Sequence, residues 1–202
     1  MGPTELFDGI CLQQIVEREK KDGVQTLGSA AVLLGYMVQA CRALGYMHER
    51  GAVHRDIKPG NIFVTRDGTV NLAEFSVSHL RERFDAATGV VVGTPAYMSP
   101  EQIRGEKADG RSDIWSIGCT IYEVLTYTKP FVGDNIAATM FAILSSDPKS
   151  LRELRPDLSP ELDDLVRRTL RKGRDERYRN MGELLTDFEP LVQRMKLTTG
   201  TP

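Results

Sequence analysis

The chain has 202 residues, enough for one compact domain or two small ones around a real core. A hydrophobic content of 41% and a charged content of 27% are ordinary for a soluble globular protein, and a net charge of −2 gives nucleic acid or an anionic membrane no footing as a partner. Cys11, Cys41 and Cys119 lie far apart without metal spacing and read as reduced packing residues of a cytoplasmic protein. The longest apolar stretch, around Ala30 to Val38, is too short to span a bilayer. Leu6 and Pro3 after Met1-Gly2 argue against myristoylation, and no targeting segment is visible.

In chain order, Thr4 to Asp8 opens a short amphipathic helix through Ile10, Leu12, Ile15 and Val16, which fades in the charged run from Glu17 to Asp22. Ser29 is the expected N-cap of a longer helix reaching Glu49. Its apolar stripe runs through Leu33, Leu34, Met37, Val38, Cys41, Leu44 and Met47, and Gly51 closes it. His48, near its end, reads as structural.

The segment from Val53 to Val64 carries the chemistry. Its flanks, Ala52-Val53 and Ile62-Phe63-Val64, read as short buried β segments that fix both ends of a loop. Asp56 offers a proton acceptor, Lys58 a point positive charge, and Asn61 an amide oxygen suited to a hard cation. Pro59-Gly60 turns the chain, which brings Asp56 and Asn61 into one small volume. Such a set suits phosphoryl transfer, where catalysis is mostly positioning and charge stabilisation. A charged surface turn accounts for any one of these residues, but poorly for all of them in this order.

Arg66-Asp67-Gly68-Thr69 is a hairpin turn between Ile62-Phe63-Val64 and Val70-Asn71-Leu72. Residues 77–92 lack periodicity and read as a loop, with His79 a solvated residue in it. The run Asp113 to about Leu125 is apolar on nearly every side, so its helix belongs in the middle of a core. Ile136, Met140, Phe141 and Leu144 mark a short helix. Ser159-Pro160-Glu161 opens another that stops at Gly173, and Asn180 with Glu183 caps a last one whose Leu184, Leu185 and Phe188 face inward. No internal repeat is present.

His54-Arg55-Asp56-Ile57-Lys58-Pro59-Gly60-Asn61 resembles the catalytic loop of eukaryotic-type protein kinases, and Lys58 two residues after Asp56 resembles their serine/threonine branch. The resemblance implies that Asp56 is the base for a substrate hydroxyl, that Lys58 steadies the transferring phosphate, and that Asn61 holds magnesium. Phe63 would lie against the adenine of ATP. Ala73-Glu74-Phe75-Ser76 stands in the place of the family's Ala-Asp-Phe-Gly, which makes Glu74 the second metal ligand with one methylene too many. That change either weakens magnesium binding or marks its abandonment. Ser76 in the glycine position stiffens the segment.

Gly93 to Glu101 resembles the substrate-docking segment that ends in Ala-Pro-Glu, with Thr94 its threonine and Ser99 in the alanine position. Arg55 implies activation by a phosphate that an upstream kinase places on the 77–92 loop, Thr88 being the best-placed acceptor. Asp113 is implied to hold the catalytic-loop backbone and Arg177 to pair with Glu101. Glu123 falls where some kinases read basic substrates, although a single carboxylate there is more simply solvated.

The implied fold is mainly α, the helical C-terminal lobe of the kinase fold over residues 4–192, with short β-hairpins around the catalytic loop and a disordered tail at 193–202. No Gly-x-Gly-x-x-Gly loop and no Val-Ala-Ile-Lys strand precede the loop, so the N-terminal β-lobe is expected to be absent and the chain alone inactive. Two functions follow. One is a fragment of a serine/threonine kinase moving the ATP γ-phosphate to protein hydroxyls with magnesium. The other is a pseudokinase or interaction module.

Overall fold

Helices carry most of the chain, and one of them is buried almost from end to end. The computed structural model describes residues 9–23, 25–73, 84–85, 90–91 and 95–200. Strand β1 (Gly9–Cys11) pairs antiparallel with β2 (Ile62–Thr65), which pairs antiparallel with β3 (Val70–Leu72). Ile10 therefore sits opposite Val64 in a sheet rather than in the predicted helix. Gly9 permits this approach: a Cβ there would lie 2.6 Å from the Val64 carbonyl oxygen. The predicted helix start at Thr4 to Asp8 lies outside the described residues. Strands β4 (Phe84–Asp85) and β5 (Val90–Val91) form a separate antiparallel pair.

Helix α1 (Leu12–Asp22) buries Leu12 and Val16, runs through the charged stretch to its last residue, and ends at Gly23, at φ 68°, in a left-handed turn. Helix α2 (Leu27–Glu49) starts one turn earlier than predicted. Thr26 is its N-cap, and Ser29 is the reciprocal partner three residues on. At 23 residues α2 is long and apolar enough to cross a bilayer, which the Ala30–Val38 stretch alone does not reveal. Core packing accounts for that composition: Ala30, Leu33, Leu34, Met37, Cys41 and Leu44 are all buried. The turn at Arg66–Thr69 forms as predicted, and Gln39 of α2 fixes it by donating to Gly68 O and accepting from Val70 N.

After the short helix α3 (Pro100–Ile103), helix α4 (Gly110–Thr126) is the centre of the core, and Glu123 is the one residue from Ser112 to Thr126 that is not buried. Gly118 lets it press against α7 (Pro160–Thr169), since a Cβ there would lie 2.1 Å from Thr169 Oγ1 and 2.8 Å from its Cβ. Gly118→Ala should therefore destabilise the fold by about 1–3 kcal/mol despite alanine's better helix propensity. Urea denaturation checks this; an unchanged or higher midpoint would mean that α4 and α7 can separate freely.

Helix α5 (Ile136–Ser145) forms where Ile136, Met140, Phe141 and Leu144 mark it; it buries Thr139 and Ile143, packs Met140 and Leu144 on the core, and leaves Ile136 and Phe141 exposed. Its apolar residues lie on several faces, so periodicity could not select the inward one. Helix α6 (Leu151–Leu154) follows, and α7 ends at Thr169, four residues before Gly173. The carbonyls of Arg171 and Lys172 are turned instead toward the Arg177 guanidinium. Helix α8 (Met181–Thr199) begins with Asn180 Oδ1 accepting from Glu183 N, as predicted. The disordered tail predicted from 193 is helical through Thr199. Leu191 and Val192 are buried, Met195 packs on the core, and Gly200 at φ 65° closes the helix.

Candidate active site

The loop from His54 to Asn61 hangs from the first turn of α4. Asp113, fully buried, accepts from His54 N at 2.8 Å and Arg55 N at 2.7 Å, and its Oδ2 lies 2.7 Å from His48 Nε2. Three partners satisfy one buried carboxylate, which such an anion requires. His48 is thus structural, as its position on α2 suggested. Gly110 makes room for it, since a Cβ there would stand 2.8 Å from His48 Nδ1.

Arg55 holds φ at 65°, a left-handed conformation that costs a non-glycine residue free energy unless neighbours enforce it. The bond from its N–H to Asp113 is one such neighbour. The flank Ala52-Val53 is not a strand. Ala52 N–H is taken by the Met47 carbonyl at 3.0 Å, and Ala52 is exposed.

Asp56 and Asn61 do share one small volume. Asn61 Nδ2 donates to Asp56 Oδ2 at 2.9 Å and to the Asp56 carbonyl at 2.8 Å, across a tight turn at Pro59–Asn61. The amide nitrogen is thereby engaged by Asp56, which leaves the Asn61 amide oxygen as the group suited to a hard cation. Lys58 Nζ lies 3.2 Å from the same Asp56 oxygen, with both side chains 28% exposed. A carboxylate, an ammonium and an amide oxygen are brought together at a half-open surface.

His54 has a role that its position in the motif did not reveal. Its buried ring contacts the Ala73 carbonyl through Nε2 at 3.2 Å and accepts from Asp56 N at Nδ1, 3.4 Å away. Ala73 N in turn donates to Asn61 O at 2.8 Å. The backbone leading into Glu74 is therefore tied to the catalytic loop. Glu74, Phe75, Ser76, Thr88 and Thr94 themselves, and most of the 77–92 loop, lie outside the described residues. Among the described residues no group of three or more His, Cys, Asp or Glu is placed to hold a metal.

Phe63 is half-buried on the face of β2 opposite Ile62 and Val64, away from the core. The Arg55 side chain is exposed and makes no ion pair among the described residues. Glu123 is not simply solvated, because it accepts from the Tyr97 hydroxyl, and Lys129 Nζ stands over the Tyr97 ring. Arg177 does pair with Glu101, through two bonds of 2.8 and 2.9 Å in a fully buried setting.

Known proteins are similar to this chain in sequence. A protein kinase domain model matches residues 4–187. The serine/threonine-protein kinase PknB of Mycolicibacterium smegmatis is 37% identical over 187 residues, covering 91% of this chain and 29% of that protein. PknB of Mycobacterium tuberculosis is 36% identical over 189 residues, with the same coverage of 91% and 29%. PknB of Mycobacterium leprae is 34% identical over 186 residues, again covering 91% and 29%. The chain thus spans less than a third of the length of these relatives.

Proposed function

The chain belongs to the protein kinase family, with serine/threonine kinases as its relatives, and we propose that it supplies the helical lobe of a kinase domain that moves the γ-phosphate of ATP to serine or threonine hydroxyls. The observation that carries this reading is the closed cluster of Asp56, Lys58 and Asn61, pinned through Asp113 to the core. Asp56 takes the hydroxyl proton, and Lys58 faces the same volume to offset charge on the moving phosphate. Asn61 would hold magnesium through its amide oxygen, together with Glu74. The ion, when bound, neutralises the phosphate oxygens. Phe63, on the open face of β2, is assigned to the adenine. Arg55, with its side chain exposed, is assigned to a phosphate that an upstream kinase adds to the 77–92 loop.

Residues 1–202 contain no glycine-rich phosphate loop, so activity is expected only together with a small, ATP-covering lobe. Cys41 and Cys119 are buried free thiols, and burial pushes the Cys41 thiol up to about 12; both are inert packing groups, which fits a reducing cytoplasm.

A second reading, an interaction module without phosphotransfer, is favoured by Glu74 and Ser76 alone. Glu74→Asp separates the two. If the extra methylene displaces magnesium by about an ångström, its removal should raise phosphate transfer by on the order of ten- to a hundredfold. The readout is radiolabelled phosphate moved to a generic basic protein, with both variants joined to one small lobe. No gain from Glu74→Asp would favour the interaction module.

A further inference from the structure

The Arg55 carbonyl has a partner that the phosphoryl-transfer chemistry does not call for. Gln102, on α3, donates from Nε2 to that carbonyl at 3.0 Å, across 47 positions of sequence. The Oε1 of the same amide accepts from Ser99 N at 2.9 Å and from Ser99 Oγ at 3.1 Å, closing the N-cap of α3. A backbone N–H on one side and a backbone carbonyl on the other leave a single orientation of the amide that satisfies both. Ser99 is fully buried and Gln102 half-buried, so the cap end of the amide is held in the protein while its bond to the exposed Arg55 lies at the surface.

The two segments that Gln102 joins each hang separately from α4. Asp113 holds the His54 and Arg55 N–H groups. One residue earlier Ser112 Oγ donates to Glu101 at 2.7 Å, and one turn later Ser116 Oγ donates to the Tyr97 carbonyl at 2.8 Å. Gln102 is the cross-tie that closes the ring between them. It closes on Arg55, the left-handed residue that immediately precedes Asp56, so both sides of that strained position are held: the N–H by Asp113, the carbonyl by Gln102.

We infer that Gln102 is a positioning residue that couples residues 95–103, which hold the described part of the segment 93–101 resembling the substrate-docking region together with the rest of α3, to the backbone that aims Asp56. The inference rests on the kinase reading above for its consequence in catalysis, but not for its consequence in the backbone. When residues 95–103 are ordered, the Arg55 peptide is clamped and Asp56 is aimed. When they are not, Arg55 is free to leave the left-handed region and the carboxylate turns away from the hydroxyl it serves.

Gln102→Glu isolates the cross-tie. The glutamate keeps an oxygen for Ser99 N–H, and glutamate is a preferred residue at that position of a capping box, yet it offers the Arg55 carbonyl no N–H. Gln102→Leu removes all three bonds of the amide. Two readouts apply. In the chain itself, amide exchange of His54 and Arg55 should be about fivefold faster in Gln102→Glu, the effect of one lost hydrogen bond, while the amides of α3 and the unfolding midpoint stay unchanged. In a form joined to an ATP-covering lobe, Gln102→Glu should lower kcat by about tenfold with the KM for ATP unchanged, as misaimed bases do. Parental exchange and parental kcat in Gln102→Glu would overturn the inference and leave Gln102 a helix cap. If no form transfers phosphate, the kinase reading has failed, and the exchange rates alone decide for or against the cross-tie. Should Gln102→Leu fail to fold, the glutamate variant still decides.

Discussion

Arg177→Met should destabilise the fold by about 3–5 kcal/mol, the scale of a buried charge left without its partner. The Arg177 side chain is wholly buried, and its five N–H groups all have acceptors: Nε the Arg171 carbonyl, Nη1 Glu101 Oε1 and the Arg111 carbonyl, Nη2 Glu101 Oε2 and the Lys172 carbonyl. Its guanidinium also stands 5.0 Å over the Trp115 ring. Methionine fills much of the volume but leaves the Glu101 carboxylate, 3% exposed, with Ser112 as its remaining side-chain partner.

The pH dependence should change sign with the substitution. Burial alone would push the Glu101 carboxyl up, but the bonds and charge of Arg177 and the Ser112 hydroxyl outweigh it and hold the group at about 2, below its ordinary 4.5. In the parent the pair therefore stabilises the fold above pH 4.5, and that contribution is lost as pH falls from 4.5 toward 2. In Arg177→Met burial prevails and the folded-state carboxyl titrates above its unfolded value. The variant should then regain stability as pH falls through that raised value toward 4.5, so its deficit is largest at neutral pH. Urea midpoints at several pH values read both effects. A loss below about 1 kcal/mol at neutral pH would place the pair in solvent rather than in the core.

What could be read in advance was local chemistry. The Arg66–Thr69 turn, the Asn180–Glu183 cap and the apolar run of α4 each carry their signal within a few residues, and each formed where expected. The catalytic loop was legible for the same reason: Asp56, Lys58 and Asn61 lie within six positions, and a Pro-Gly turn leaves them little choice but to converge. What escaped depends on distant partners. Gly9-Ile10-Cys11 continues a helical apolar spacing, yet pairing with Phe63–Thr65 decides its conformation. The Gln102–Arg55 bond and the His54–Ala73 bond join positions whose nearness no spacing rule supplies. Ser99 with a glutamine three residues later was a readable cap signature, but the far end of that amide was not. Residues 193–199 look polar, and their helix persists because it continues one whose inner face is already docked.

The central claim is that Asp56 is the base of a phosphoryl transfer, and Asp56→Asn tests it most directly. The asparagine is isosteric and can still accept the Asn61 and Lys58 bonds through its oxygen at the position of Oδ2. The loop, the unfolding midpoint and the KM for ATP should therefore be retained while the proton acceptor is lost. The measurement is the initial rate of radiolabelled phosphate transfer from Mg-ATP to a basic protein, with parent and variant joined to the same ATP-covering lobe and the Glu74→Asp background run alongside. The account predicts transfer that falls roughly a hundredfold or more in Asp56→Asn, the usual scale for loss of a general base. Equal rates in parent and Asp56→Asn, at background or above it, and with Glu74→Asp adding nothing, would contradict it and make the loop a scaffold.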